Sequence, residues 1–211
     1  MKILRIDRMA TEWPAKAVET LSMPDATPSG VLPARIISDS AIVRNNRPVF
    51  IPDFAREGWV VDLLPAFLIG RLGKFISPRF VERHLSTFTL VACLRPANVT
   101  DSDALTDSFD GAITVGETMQ IPVGDKMILQ GRYSSLPVKA GDEPKEEVKT
   151  VEISVPELHV EDTVALLSRY MMLKSGDMIL PASVGLTFPI ALDYSVSASV
   201  DNVERLTLRL K

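Results

Sequence analysis

Apolar and polar residues alternate with a period of two along much of this chain, but one stretch does not alternate. Trp59 to Ile69 is almost wholly apolar, with Asp62 as its only charge. That is the pattern of a strand buried on both faces. Gly70 to Lys74 reads as a turn. Ser77-Pro78 starts a short helix, with Ser as N-cap and Pro in the first position, and Phe80, Val81 and Leu85 are expected to face inward. Ser86 to Leu94, rich in Thr, Val, Leu and Phe, predicts the next strand.

Before this stretch, Lys2 to Asp7 alternates as a short strand. Thr11 to Thr20 predicts a brief helix, and Ser22 to Pro33, with three prolines and a glycine, a loop. Residues 35–51 read as a hairpin turning at Asn45-Asn46, since Asn tolerates positive φ. Arg44 and Arg47 are read as solvent-facing turn residues. After it, Lys126 to Arg132 predicts a strand, Val138 to Lys149 a polar hairpin tip, and Thr150 to Val155 the return strand. Val160, Val164, Leu167 and Met171 share one face of a helix near residues 160–173, widened by Leu166 and Tyr170. Glu161 and Asp162 suit its N-terminus, Arg169 and Lys174 its C-terminus, and Ser175-Gly176-Asp177 stops it. Ile190, Leu192, Tyr194, Val196, Ala198 and Val200 alternate, Asp201-Asn202 turns, and Leu206, Leu208 and Leu210 alternate again. That predicts a terminal antiparallel pair. The fold class is therefore mainly β (α+β), with one long amphipathic helix and few short ones. Residues 1–33 are expected as an N-terminal strand and loop appendage to a domain over 34–211.

Composition narrows the function classes. The chain has 211 residues and is 46% hydrophobic, enough for a sizeable core. A net charge of −4 gives no basic footprint for nucleic acid. No run reaches the length of a membrane span, so no membrane partner is expected. The start MKILRIDRM places charges where a signal peptide needs apolar residues. One cysteine excludes an internal disulfide framework and fits a cytoplasmic location. No phosphate loop, dinucleotide fingerprint, nucleophile elbow or pair of histidines at ligand spacing is present. Cys93, among Leu90, Val91, Ala92 and Leu94, reads as a buried inert thiol, and His159 as a cap or surface residue.

The segment RLGKFISPRF at 71–80, Ser40-Ala41-Ile42, Pro48 to Pro52, Phe109-Asp110-Gly111 and ALLSRYMMLKSGDMIL at 165–180 together resemble the fumarylacetoacetate hydrolase family. The resemblance spans residues 34 to 210 with gaps. It implies a mixed β-sheet roll, usually dimeric, with a divalent metal held by a Glu-x-Glu pair and an Asp. On these motifs Asp62 falls on the first Glu, Leu64 on the second and Cys93 on the Asp. One carboxylate of three survives, shortened. The family's general base is a His–Glu pair in the N-terminal region. Here the first histidine is His84, so Glu12 and Glu19 have no such partner. The family's pocket lysine falls on Asp107, which reverses the charge offered to an acidic substrate. Its Thr-Gly-Thr-Pro segment becomes Pro181-Ala182-Ser183-Val184, keeping one hydroxyl, on Ser183.

The resemblance therefore implies vestigial metal positions at Asp62, Leu64 and Cys93, no confident catalytic residue, and pocket positions at Arg95, Asp107, Asp110 and Ser183. It implies a bacterial homodimer with no cofactor, retaining the fold for binding or interaction, with a small carboxylic acid as the ligand class. The alternative is a divergent hydrolase, decarboxylase or isomerase of a small β-dicarbonyl or 2-oxo acid, using Mg²⁺ or Mn²⁺ at Asp62. A partner subunit for an active paralogue is a third reading.

Overall fold

The computed structural model describes residues 1–6, 34–55, 57–98, 108–135, 145–181 and 185–211. The long apolar strand organises the rest. Strand β5 (Trp59–Ile69) and strand β6 (Leu85–Pro96) form an antiparallel pair that runs their whole length, Trp59 opposite Pro96 and Asp62 opposite Cys93. On the far edge of β6 lie β7 (Ile113–Val115) and β3 (Ile42–Arg44). On the far edge of β5 two strands follow one another, β10 (Met178–Leu180) and β11 (Leu186–Ile190). Beyond β10 come β1 (Ile3–Ile6) and β2 (Ala34–Ile37). The strand of the expected 1–33 appendage thus lies inside the main sheet, between β2 and β10. Asp177 ties it there, accepting from the Lys2 backbone N–H at 2.8 Å and the Lys2 ammonium at 2.6 Å. The expected helix over 11–20 and loop over 22–33 lie outside the described residues.

A second sheet has the order β4 (Pro48–Val49), β13 (Val203–Leu210), β12 (Tyr194–Val200), β8 (Lys126–Ser135) and β9 (Glu146–Ser154). The main core lies between the sheets. From β5 it takes Val61, Leu63 and Phe67, from β6 Phe88, Leu90 and Ala92, from β12 Val196, and from β13 Leu206 and Leu208. A Cβ on Gly131 of β8 would stand 2.7 Å from the Leu63 and Phe188 side chains of the first sheet, so a larger residue there would have to push them aside. The opposite face of the first sheet carries a second, smaller apolar cluster that includes Leu64, Ala66, Val91, Cys93, Ile113 and Met178. Because alternate residues of a strand face opposite ways, Asp62 belongs to this second face.

Several local expectations are corrected. Residues 35–51 are not a hairpin. The Asn45-Asn46 turn is present, with Asn46 at φ 62°, but β3 pairs in parallel with β7 and β4 in parallel with β13. The turn carries the chain from one sheet to the other. The Asn45 N–H donates to the Val115 carbonyl on one side, and the Asn45 side-chain oxygen accepts from the Thr207 N–H at 2.7 Å on the other. Pro78–Arg83 is a 3₁₀-helix in which Val81 is buried and Phe80 is exposed. With three residues per turn Pro78 and Val81 eclipse, and Phe80 is rotated outward.

Helix α1 (Val160–Tyr170) stops short of residue 173 because Leu173 is taken by Gly73 in reciprocal backbone bonds of 2.9 and 3.0 Å. Tyr170 is exposed rather than part of the buried face. The alternation read from Ile190 to Val200 joins two strands of different sheets, and Leu192 sits exposed in the turn between them. The polar tip is shorter than expected. Strand β9 already begins at Glu146, and residues 136–144 lie outside the described residues.

Candidate functional site

The site grows from three strands that each carry a single charge among apolar neighbours. Asp62 is the only charged residue of β5, Arg95 of β6 and Arg5 of β1. A lone charge in a buried strand must find a counter-charge or hydrogen bonds, because desolvating it unaided is expensive. These three find each other. Asp62 is 1% exposed and Arg5 1% exposed. The Arg95 Nε donates to Asp62 Oδ2 at 2.8 Å and its Nη2 to Oδ1 at 3.4 Å, a side-on bidentate fork. The Arg5 Nη2 stands 3.7 Å from Asp62 Oδ2. From the other side the Thr187 hydroxyl donates to Asp62 Oδ1 at 2.7 Å.

Register explains why these residues converge. Thr187 of β11 and Cys93 of β6 flank Asp62 directly across the sheet. Arg95 lies two residues beyond Cys93 on the same face. Arg5 of β1 pairs with Leu180, the last residue of β10, just before the chain passes to β11. Strand β11 is itself pinned by the second sheet. The Lys149 ammonium of β9 donates to the Thr187 carbonyl at 2.7 Å and lies 4.6 Å over the Phe188 ring.

Of the residues expected from the sequence, the structure brings Asp62, Leu64, Cys93 and Arg95 together on one sheet face. Asp110 lies elsewhere, in a surface crevice of about 410 Å³ between Ser40, Ile42, Val43, Pro48, Val49, Phe50 and Gly111. Asp107 and Ser183 lie outside the described residues. Arg5 and Thr187 join the site without having been expected from the sequence pattern. The signal for Arg5 was available: ILRI puts one cation in an otherwise apolar strand, the mirror of Asp62 in β5. Thr187 carries no such mark.

Among the described residues, the donor set around Asp62 does not fit a divalent cation. Mg²⁺ and Mn²⁺ take hard oxygen ligands. Leu64 presents an aliphatic side chain and Cys93 a soft thiol, and both are buried in the second apolar cluster. Both oxygens of Asp62 already accept from Arg95, and one also accepts from Thr187. Among the described residues no group of three or more His, Cys, Asp and Glu is arranged to hold a metal.

No protein-family model and no curated protein sequence matches the chain. Solved structures do. The 2-hydroxyhepta-2,4-diene-1,7-dioate isomerase of Mycobacterium marinum superposes with a TM-score of 0.73 at 18% identity, covering 99% of this chain and 73% of the other. The 5-carboxymethyl-2-hydroxymuconate delta-isomerase of Mycobacterium smegmatis gives 0.71 at 17% identity, covering 99% and 78%. The maleylpyruvate hydrolase of Sphingobium sp. SYK-6, in complex with manganese(II) and pyruvate, gives 0.70 at 12% identity, covering 99% and 69%. The chain has the fumarylacetoacetate hydrolase fold. Identities this low establish the shared fold and leave the chemistry to the site itself. In the fumarylacetoacetate hydrolase frame, the positions that the sequence resemblance assigned to metal ligands are those now occupied by Asp62 in its ion pair, by Leu64 and by Cys93.

Proposed function

We propose that this chain keeps the fumarylacetoacetate hydrolase fold as a binding or interaction protein and does not carry out metal-dependent hydrolysis. The observation that carries this reading is the occupation of Asp62. Its two oxygens receive a bidentate guanidinium from Arg95 and a hydroxyl from Thr187, while the adjoining positions are the apolar Leu64 and the thiol Cys93. A fixed internal cation stands beside the carboxylate that a divalent ion would need. The protein acts in the cytoplasm as a homodimer, and light scattering at micromolar concentration should give twice the monomer mass. A monomer contradicts that part. A small carboxylic acid is the ligand class to test first, because a neighbour of the same fold holds pyruvate.

The second reading, a divergent isomerase, decarboxylase or hydrolase of a small β-dicarbonyl or 2-oxo acid, is favoured by the activities of the neighbours. Turnover assays with acylpyruvates and β-keto acids in the presence of Mg²⁺ or Mn²⁺ separate the two. We expect no turnover above background. Turnover that Asp62→Asn abolishes would establish the divergent enzyme instead.

A further inference from the structure

The whole chain is acidic, at −4, but two segments joined by a backbone bridge have the opposite sign. Residues 71–84 and 169–174 bring together the exposed cations Arg71, Lys74, Arg79, Arg83 and Lys174, with Glu82 as the only carboxylate in the two segments. Among the described residues none of these five cations lies in an ion pair. Large apolar side chains are interleaved with them. Phe75 is 71% and Leu72 57% exposed, and Phe80, Tyr170 and Met172 are exposed as well. The two segments are neighbours by hydrogen bonding. The antiparallel bridge between Gly73 and Leu173 sets Lys74 beside Met172 and Leu72 beside Lys174.

The loop is held rigidly from beneath. The Phe75 N–H donates to the Ser168 carbonyl at 3.0 Å and the Ile76 N–H to the Ser168 hydroxyl at 2.9 Å, with Ile76 buried below. Phe75 itself sits at φ 54°. A bulky side chain in the left-handed region is strained and persists only where its surroundings enforce it. Here the enforced conformation leaves an aromatic ring 71% exposed, with the Lys74 ammonium 5.2 Å from its centroid.

We propose that this face is a membrane-contact element. Leu72 and Phe75 enter the interfacial region of a bilayer, and the five cations bind its anionic headgroups. A basic surface carrying protruding apolar side chains is the composition that lies on an anionic bilayer. A peptide would need a groove whose walls shelter the apolar side chains, and Phe75 and Leu72 are 71% and 57% exposed. Single-stranded nucleic acid would need open ring faces for stacking. The Phe80 ring already carries Arg79 at 4.6 Å and Arg83 at 4.9 Å, and Lys74 lies 5.2 Å from the centroid of the Phe75 ring, which leaves few ring faces for stacked bases. No described helix is long and apolar enough to cross a membrane. The contact is interfacial and independent of the function proposed for the Asp62 site. Net charge hid it, because carboxylates elsewhere in the chain outweigh the local excess of cations.

The test is flotation of the full chain with phosphatidylcholine vesicles and with vesicles containing about one third phosphatidylglycerol. Binding is expected to the anionic vesicles only, weakened about tenfold when salt rises from about 0.1 to 0.5 M. Phe75→Ser and Lys74→Glu should each lower the partition by at least about fivefold. Phe50→Ser, which removes an exposed aromatic from another part of the surface, should leave it unchanged. Because the altered side chains are exposed, circular dichroism should report an unchanged fold for all three. A Phe75→Trp variant should show emission quenched by brominated lipid. Absence of anionic-vesicle binding by the wild type overturns the proposal, as does binding that survives both loop substitutions. Capture of heparin or an acidic peptide through the same residues, without vesicle binding, would assign the face to a different class of partner and also overturn it.

Discussion

Arg95→Met deletes the guanidinium fork on Asp62 and keeps the side chain's length and packing. The carboxylate stays buried, with the Thr187 hydroxyl at 2.7 Å and Arg5 at 3.7 Å still beside it. The variant loses one short charged hydrogen bond, at 2.8 Å, and one long one, at 3.4 Å. A charged hydrogen bond contributes about 1.5–3 kcal/mol, and removing one partner of a buried ion pair typically costs about 3–5 kcal/mol. Arg5 still compensates part of the charge, which places the expected loss near the lower end, about 3 kcal/mol. Asp62→Asn alone should cost about 2 kcal/mol, since it removes the carboxylate that accepts the Arg95 fork. The double variant should cost clearly less than the sum, with a coupling energy of about 2 kcal/mol. Urea unfolding followed by circular dichroism measures this, as a lowered midpoint at unchanged slope. A loss below about 1 kcal/mol for Arg95→Met, or strict additivity in the double variant, would show that Asp62 does not depend on Arg95.

Restoring the implied ligand set by Leu64→Glu with Cys93→Asp should raise affinity for Mn²⁺ only weakly while Arg95 holds Asp62. Adding Arg95→Met should strengthen it by about tenfold or more, read by calorimetry. Neither variant should gain hydrolysis, since the His–Glu base and the lysine are missing from the sequence. Equal affinities with and without Arg95 would refute the competition. At Asp177, burial pushes the carboxyl up, but hydrogen bonds from the Lys2 side chain and from the Lys174 and Lys2 backbone outweigh it and hold it below its ordinary value. A depressed folded-state pKa stabilises above the unfolded value of about 3.9 and is lost as pH falls through the folded value. Asp177→Asn should therefore be about 1–2 kcal/mol less stable at pH 7, with the gap closing below about pH 4. A gap that does not narrow at all as pH falls below about 4 would contradict this.

The sequence showed the framework far better than the site. Trp59 to Ile69 was legible because burial on both faces suppresses alternation, and the terminal pair because one buried face produces it. The Asn45-Asn46 turn was legible as a turn, but which strands it joins depends on partners more than 60 residues away, Val115 and Thr207, which no local pattern encodes. The apolar face of helix α1 continues in the sequence to Met171, but the Gly73–Leu173 bridge, between residues far apart in the chain, ends the helix earlier. At the site, Asp62 and Arg95 were visible as isolated charges. That Arg95 faces Asp62 follows from register, and that Arg5 and Thr187 join them follows from topology, through a parallel β1–β10 contact spanning most of the chain. Buried ion pairs between distant strands have no sequence spacing.

We propose that Asp62 is committed to an internal cation and not to a metal. Titration of the native chain with Mn²⁺, followed by the paramagnetic resonance signal of the free aquo ion, decides between the two. The free signal should rise in proportion to added Mn²⁺, as in buffer, and Asp62→Asn should not alter it. Loss of one equivalent of signal per chain, abolished by Asp62→Asn, would show a metal site at Asp62 and contradict the claim.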